Sequence, residues 1–220
     1  MELINYIQNR EHWCWAVACK MVGEQYKKLH NKYGFELINE NSPKCGQVSA
    51  FEYNNGVETN NLKGINWKIQ NGFEVRVDAW QRAIVMNANT AMYQGYDGDV
   101  SGDDEAKIRG IKYYLTGDIH SNQIKVESIG SYYDNLSLMN EYGRRIRESS
   151  QRNEYIIGNV VMQGKKGCHS FVILCLEGDK VMLYDPLNGE ILYCSIGDAF
   201  SKGFQCSLGI GIIKWIQRII

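Results

Sequence analysis

The sequence predicts an α+β fold in which a helix-led half precedes an antiparallel β half. Trp15, Ala18, Cys19, Val22, Tyr26 and Leu29 recur with helical period near the start of the chain. The last third breaks instead into short runs rich in Ile, Val, Leu and Tyr, separated by Gly, Asp and Asn. The bulk agrees. A chain of 220 residues and 25.2 kDa, 44% hydrophobic and 22% charged, suits one domain over 1–220 and excludes a disordered or fibrous chain. The change of pattern divides it into a helix-led lobe up to about 118 and a mostly β lobe from about 119.

The elements follow in order. The first helix is expected from Trp13 to Leu29, with Lys20, Glu24, Lys27 and Lys28 on the face opposite the apolar stripe and Glu24 placed to pair with Lys28. From Asn39 to Gly102, Asn54, Asn55, Asn60, Asn61 and Asn71 with Gly56, Gly64 and Gly72 favour turns and short strands, and residues 40–100 assign nothing further. Asp78 is a candidate cap for a short helix from Ala79. Ser101 and Asp104 resemble a capping box for a helix whose inner face is Ile108, Ile111 and Leu115 and whose stop is Gly117. A strand follows over Ile124, Val126 and Glu127 to Ile129. Asp134 or Asn135 should then cap a helix to Ser149, with Leu136, Met139, Tyr142 and Ile146 inward. Tyr155–Val161, Ser170–Leu176, Lys180–Tyr184, Glu190–Cys194 and Cys206–Ile213 are the expected strands, with hairpin turns at Glu177–Lys180 and Asn188–Gly189.

Charge and length exclude several function classes. Twenty-four Lys+Arg against 25 Asp+Glu leave −1, so no bulk field points to nucleic acid, and Arg144, Arg145 and Arg147 read as a solvated helix face. The most apolar tail, Leu208 to Ile220, carries Lys214 and Arg218 and falls short of the roughly 20 residues of a membrane span. No basic region followed by an apolar stretch opens the chain, which places it in the cytoplasm as synthesised, with any export by a signal-peptide-independent route. Seven cysteines without CxxC spacing fit neither a disulfide framework nor a zinc finger. Cys168 and His169 are strand neighbours pointing to opposite faces. Asp97, Asp99, Asp103 and Asp104 lack the 12-residue calcium pattern. No metal and no cofactor is expected.

One stretch carries chemistry. In Q-N-R-E-H-W-C-W-A-V-A, Cys14 opens the first helix, where unpaired N–H groups and the helix dipole favour a thiolate. Gln8, six residues upstream, can offer its amide to a carbonyl oxygen under attack, with the Cys14 N–H as second donor. A thiolate nucleophile needs an acid–base partner. His12 flanks the cysteine, His30 ends the first helix and His120 lies in a polar stretch; only His169, in G-K-K-G-C-H-S-F-V-I-L, opens a strand. Asp185, in L-Y-D-P-L-N-G at the end of the next strand, can orient that imidazole, and Pro186 should end the strand and leave the carboxylate at its rim.

Gln–six–Cys at a helix start, W-C-W-A around the cysteine, G-x-H-S-F-V-I and Y-D-P-x-x-G together resemble papain-like cysteine peptidases. The chain looks most like small bacterial branches: effector proteases of plant pathogens with a W-C-W-A-A-type helix, and leader peptidases that process bacteriocin precursors. The resemblance covers about 6–29 and 155–194. It implies a papain-like fold and a thiol protease, with Cys14 as nucleophile, His169 as general base, Asp185 as orienting acid and Gln8 in the oxyanion hole. The papain branch proper has Asn where this chain has Asp185; the bacterial branches accept Asp. The expected partner is a peptide or protein substrate. Trp13, Gly167 and Cys168 are candidate substrate contacts, and residues 40–100 and 130–165 candidate groove walls. The same triad would serve an acyltransferase, transglutaminase or deamidase, and a silent peptide-binding module could keep the fold. Gln8 favours the peptidase.

Overall fold

The structure is a computed structural model that describes residues 8, 11–30, 67–70, 73–76, 79–89, 99–131 and 139–220. The proposed caps Asp78, Asp134 and Asn135, the inward Leu136, and most of the stretch 40–98 lie outside the described residues.

Helix α1 spans Cys14–His30. The Trp13 carbonyl accepts from the N–H groups of Ala16 and Val17 at 3.0 and 3.2 Å, which makes Cys14 the first helical residue. Every residue from Cys14 to Gly23 is buried, Lys20 included. The expected polar face therefore begins only at Glu24, whose carboxylate lies 3.6 Å from Lys28. Leu29, placed inward by the periodicity, is 39% exposed. The physical reason is packing on two sides: α1 runs between the sheet and two other helices, so its first half has no solvent face.

Those helices are α2, Ala79–Ala88, and α3, Asp104–Thr116. The cap of α3 is Asp103, whose carboxylate accepts from Ala106 N at 2.7 Å; the expected Ser101–Asp104 box is not the one used. Gly117 ends the helix in the left-handed region at φ 73°, as its position in the sequence predicts. A short antiparallel pair, β1 (Trp67–Gln70) and β2 (Phe73–Arg76), stands apart from the main sheet.

The main sheet is built from β3 (Val126–Gly130), β4 (Ile156–Met162), β5 (Cys168–Glu177), β6 (Lys180–Asp185), β7 (Glu190–Ser195), β8 (Phe204–Cys206) and β9 (Gly209–Ile219). Its order is β3-β9-β4-β5-β6-β7, with β8 paired to β9 and every pairing antiparallel. Helix α4 (Met139–Gln151) crosses between β3 and β4 in the chain. The predicted turns recur in the register, Glu177 opposite Lys180 and Asp185 opposite Glu190. The last expected strand is corrected: it does not run from Cys206 to Ile213. The chain turns at Ser207–Leu208, so that Cys206 faces Gly209, and β9 then runs on to Ile219.

Both faces of the sheet are covered, so its strands alternate between two apolar clusters. Tyr155, Ile157, Val172, Leu174 and Tyr184 meet α1, α2 and α3 on one face. Ile156, Phe171, Ile173 and Leu183 meet Tyr142 and Ile146 of α4, together with Phe200 from a π-helical turn at Asp198–Lys202, on the other. The arginines of α4 divide. Arg144 is exposed and pairs with Glu141 and Glu148, whereas the less exposed Arg145 reaches Glu127 of β3 at 2.9 Å, beside the buried Arg218. Among the described residues no helix is long and apolar enough to cross a membrane.

Candidate active site

The packing of α1 against β5 sets the N-terminus of the helix beside the start of the strand, and the site forms there. Cys14 Sγ accepts from Ser170 N at 3.4 Å. His169 precedes Ser170, and its Nε2 lies 2.7 Å from Asp185 Oδ1. With Nε2 engaged by the carboxylate, Nδ1 is the nitrogen left to serve the sulfur. Phe171 meets the imidazole edge to face at 4.9 Å and limits its rotation. Asp185 is fully buried at the end of β6 and holds two further donors, Leu187 N on Oδ1 at 2.9 Å and Ser207 Oγ on Oδ2 at 3.0 Å.

The electrostatics follow from this geometry. Burial alone would push the Cys14 thiol up; the His169 charge, the His169 hydrogen bond and the Ser170 N–H outweigh it and bring the pKa down to about 7. Burial would likewise lower His169, but the Cys14 thiolate and the bond to Asp185 raise it to about 10. Burial pushes Asp185 up and the His169 hydrogen bond and charge pull it below the usual carboxylate range. The pair is thus a thiolate–imidazolium between these limits. Cys14 is alone in this among the described cysteines: burial pushes Cys19, Cys168, Cys175, Cys194 and Cys206 up.

A cavity of about 240 Å³ opens in front of the pair. One wall is Glu11, His12 and Trp15, with Gly102 lying flat on the indole; a Cβ there would meet Trp15 Cδ2 at 2.3 Å, so only glycine permits the approach. Lys165, Lys166, Gly167 and Cys168 form a second wall, and Met162, Leu187 and Leu208 supply apolar surface. Gly167 and Cys168, candidate substrate contacts, thus line the cavity. Trp13 does not: it is 0% exposed within the core, and Trp15 borders the cavity instead. Leu187 and Leu208 fall outside both expected wall segments.

Gln8 is buried beside the triad, its N–H donating to the Pro186 carbonyl at 2.8 Å. Its Nε2 donates to the Glu11 carbonyl at 2.6 Å, which leaves one amide hydrogen, and its Oε1 has no partner among the described residues. Gln8 does not line the cavity. Of the acidic residues weighed for calcium, Asp97 lies outside the described residues and the other three are engaged elsewhere: Asp103 caps α3, Asp104 accepts from Trp215 Nε1 at 2.5 Å, and Asp99 pairs with His12 at 3.1 Å. Glu11, His12 and Asp99 bring donor atoms within 4.8 Å of one another, but all three are exposed and the His12–Asp99 ion pair accounts for their closeness.

Three contributors escape a reading of the sequence. Ser207 has no motif around it. The Ser170 N–H acts through its backbone, which no side-chain pattern encodes. Lys107, 1% exposed, lies 3.6 Å from Asp104 and 5.4 Å from the Trp215 ring centroid, and its charge also helps lower Cys14. A signal existed for that one, since Lys107 shares the inward spacing of Ile111 and Tyr114. No known protein family matches the sequence, and no curated protein is significantly similar to it.

Proposed function

We propose that the chain is a papain-like cysteine peptidase that hydrolyses peptide bonds through an acyl-enzyme on Cys14. The observation that carries this reading is the lowered Cys14 thiol joined to a histidine whose other nitrogen is held by Asp185 at 2.7 Å. The Cys14 thiolate attacks the scissile carbonyl carbon, and the electron pair moves onto the oxygen. N–H groups at the start of α1, which have no helical acceptor, face that charge. His169 gives its proton to the leaving nitrogen as the C–N bond breaks. It then takes a proton from water, which attacks the thioester and returns the thiolate. Asp185 holds the ring throughout.

The helix-bearing N-terminal segment and the C-terminal sheet supply opposite sides of the cavity, which supports a papain-like arrangement of the α+β fold. The free thiols suit a reducing, cytoplasm-like setting. The substrate is a peptide or a specific protein, such as a precursor whose leader is removed. A thiol-directed probe should label Cys14 fastest of the seven cysteines. Cys14→Ala should abolish cleavage of a diverse peptide library without lowering the melting temperature by more than a few degrees. Slow, uniform labelling would favour a binding module, and amine incorporation or ammonia release without chain cleavage would favour acyl transfer.

A further inference from the structure

Three donors converge on Asp185, and two of them belong to turns that also build the cavity. Leu187 gives its N–H to Oδ1 and its own side chain to the cavity wall. Ser207 gives its hydroxyl to Oδ2, and the next residue, Leu208, lines the cavity. Ser207 and Leu208 are the two-residue turn of the β8–β9 hairpin, exposed at Ser207 although its hydroxyl reaches a fully buried carboxylate. Met162, at the end of β4, packs in the same apolar cluster as Leu208. The rest of the cavity differs: Glu11, His12, Lys165 and Lys166 are polar and exposed.

The side of the scissile bond follows from the chemistry. A group that protonates a leaving amine must stand on the leaving-group side of the sulfur. In the proposed reaction that group is His169; Leu187 is tied to Asp185 by its own N–H and Leu208 through its neighbour Ser207, and Asp185 holds the imidazole nitrogen not serving Cys14. Their apolar surface therefore faces the fragment that departs with the amine.

We propose that Met162, Leu187 and Leu208 form an apolar subsite for the first residue of the leaving peptide, and that Ser207 is a positioning residue tying this subsite to the triad acid. The inference rests on the peptidase reading. An apolar side chain seated here packs on the very turns that supply two of the hydrogen bonds to Asp185. Its binding energy is then spent on aligning Asp185 and His169, which raises kcat more than it lowers KM.

The test uses the full chain and paired peptides that differ only in the residue after the scissile bond, Leu against Asp. The wild-type chain should prefer Leu by about tenfold or more in kcat/KM, and Leu208→Ser should reduce that preference to about twofold. Ser207→Ala should lower kcat about tenfold with KM within about twofold, and Ser207→Thr, which restores the hydroxyl, should recover most of the loss. A preference that survives Leu208→Ser, or that follows the residue before the scissile bond instead, overturns the subsite. Equal loss in the Ala and Thr variants, or a loss confined to KM, overturns the role of Ser207. Cleavage of no peptide together with slow labelling of Cys14 overturns the peptidase reading itself, an outcome distinct from cleavage without the leaving-side preference.

Discussion

Replacing His169 with Ala removes the charge and the hydrogen bond that offset the burial of Cys14. With the thiol at about 7, roughly three quarters of Cys14 is thiolate at pH 7.5; returned to its ordinary 9.0, about 3% is, a loss of about 25-fold. Burial is then opposed only by the Ser170 N–H and the Lys107 charge, so the thiol should return to about its ordinary value; fully buried Cys19, on the same helix, has its thiol pushed far up. Labelling rates should fall less than the thiolate population, because a more basic thiolate is the better nucleophile. The midpoint is the cleaner measure. Iodoacetamide labelling of Cys14 against pH should have its midpoint near 7 in the wild-type chain and near 9 in His169→Ala, with His169→Gln as a bulk-preserving companion. A midpoint that stays near 7 in both variants, with folding verified by circular dichroism, would refute the thiolate–imidazolium argument.

Other expectations follow from single contacts. Activity should be bell-shaped in pH, rising as Cys14 ionises near 7 and falling as His169 loses its proton near 10, measured as kcat/KM on any cleaved peptide. The folded Asp185 is held below the ordinary carboxylate range, so it contributes stability in full above that range and loses it as pH falls through the folded value; Asp185→Asn should flatten acid unfolding there. Gly23→Ala sets two effects against each other. The helix gains about 1 kcal/mol of propensity, but the new Cβ lies 2.4 Å from Cδ1 of the buried Tyr114 ring, and overpacking of about 1–3 kcal/mol should win in urea titration. Asp103→Ala should cost about 1 kcal/mol in the same assay by removing the α3 cap.

Much of this was legible because local chemistry and tertiary structure agree. The start of α1, the turns at 177–180 and 188–189, and the end of β6 at Asp185-Pro186 are each written in a few adjacent residues, and they position Cys14, His169 and Asp185. Errors arose where packing overrode a local pattern. Lys20 looked outward because helical period reports a single interface, whereas α1 has two. The turn at Ser207–Leu208 carries no Asn-Gly or Asp-Gly signal, so an apolar run hid a reversal of the chain. Ser101 fitted a capping pattern, but Asp103 stands directly before the acidic first turn of Asp104 and Glu105 and takes the cap. Trp13 and Trp15 flank Cys14 alike in sequence; only the approach of Gly102 separates them by bringing the loop over Trp15.

The order of strands has a consequence for when the site can exist. In the sheet β9 lies between β3 and β4, yet it is made after both. A nascent chain that has delivered Cys14, His169 and Asp185 but still holds residues 209–219 in the ribosome lacks the strand that joins β3 to β4, and without the β8–β9 hairpin Ser207 cannot yet dock on Asp185. The third donor on Asp185 then arrives late, after the long-range pairings of β9 close. On the peptidase reading, the triad acid would be fully held only once the chain had emerged.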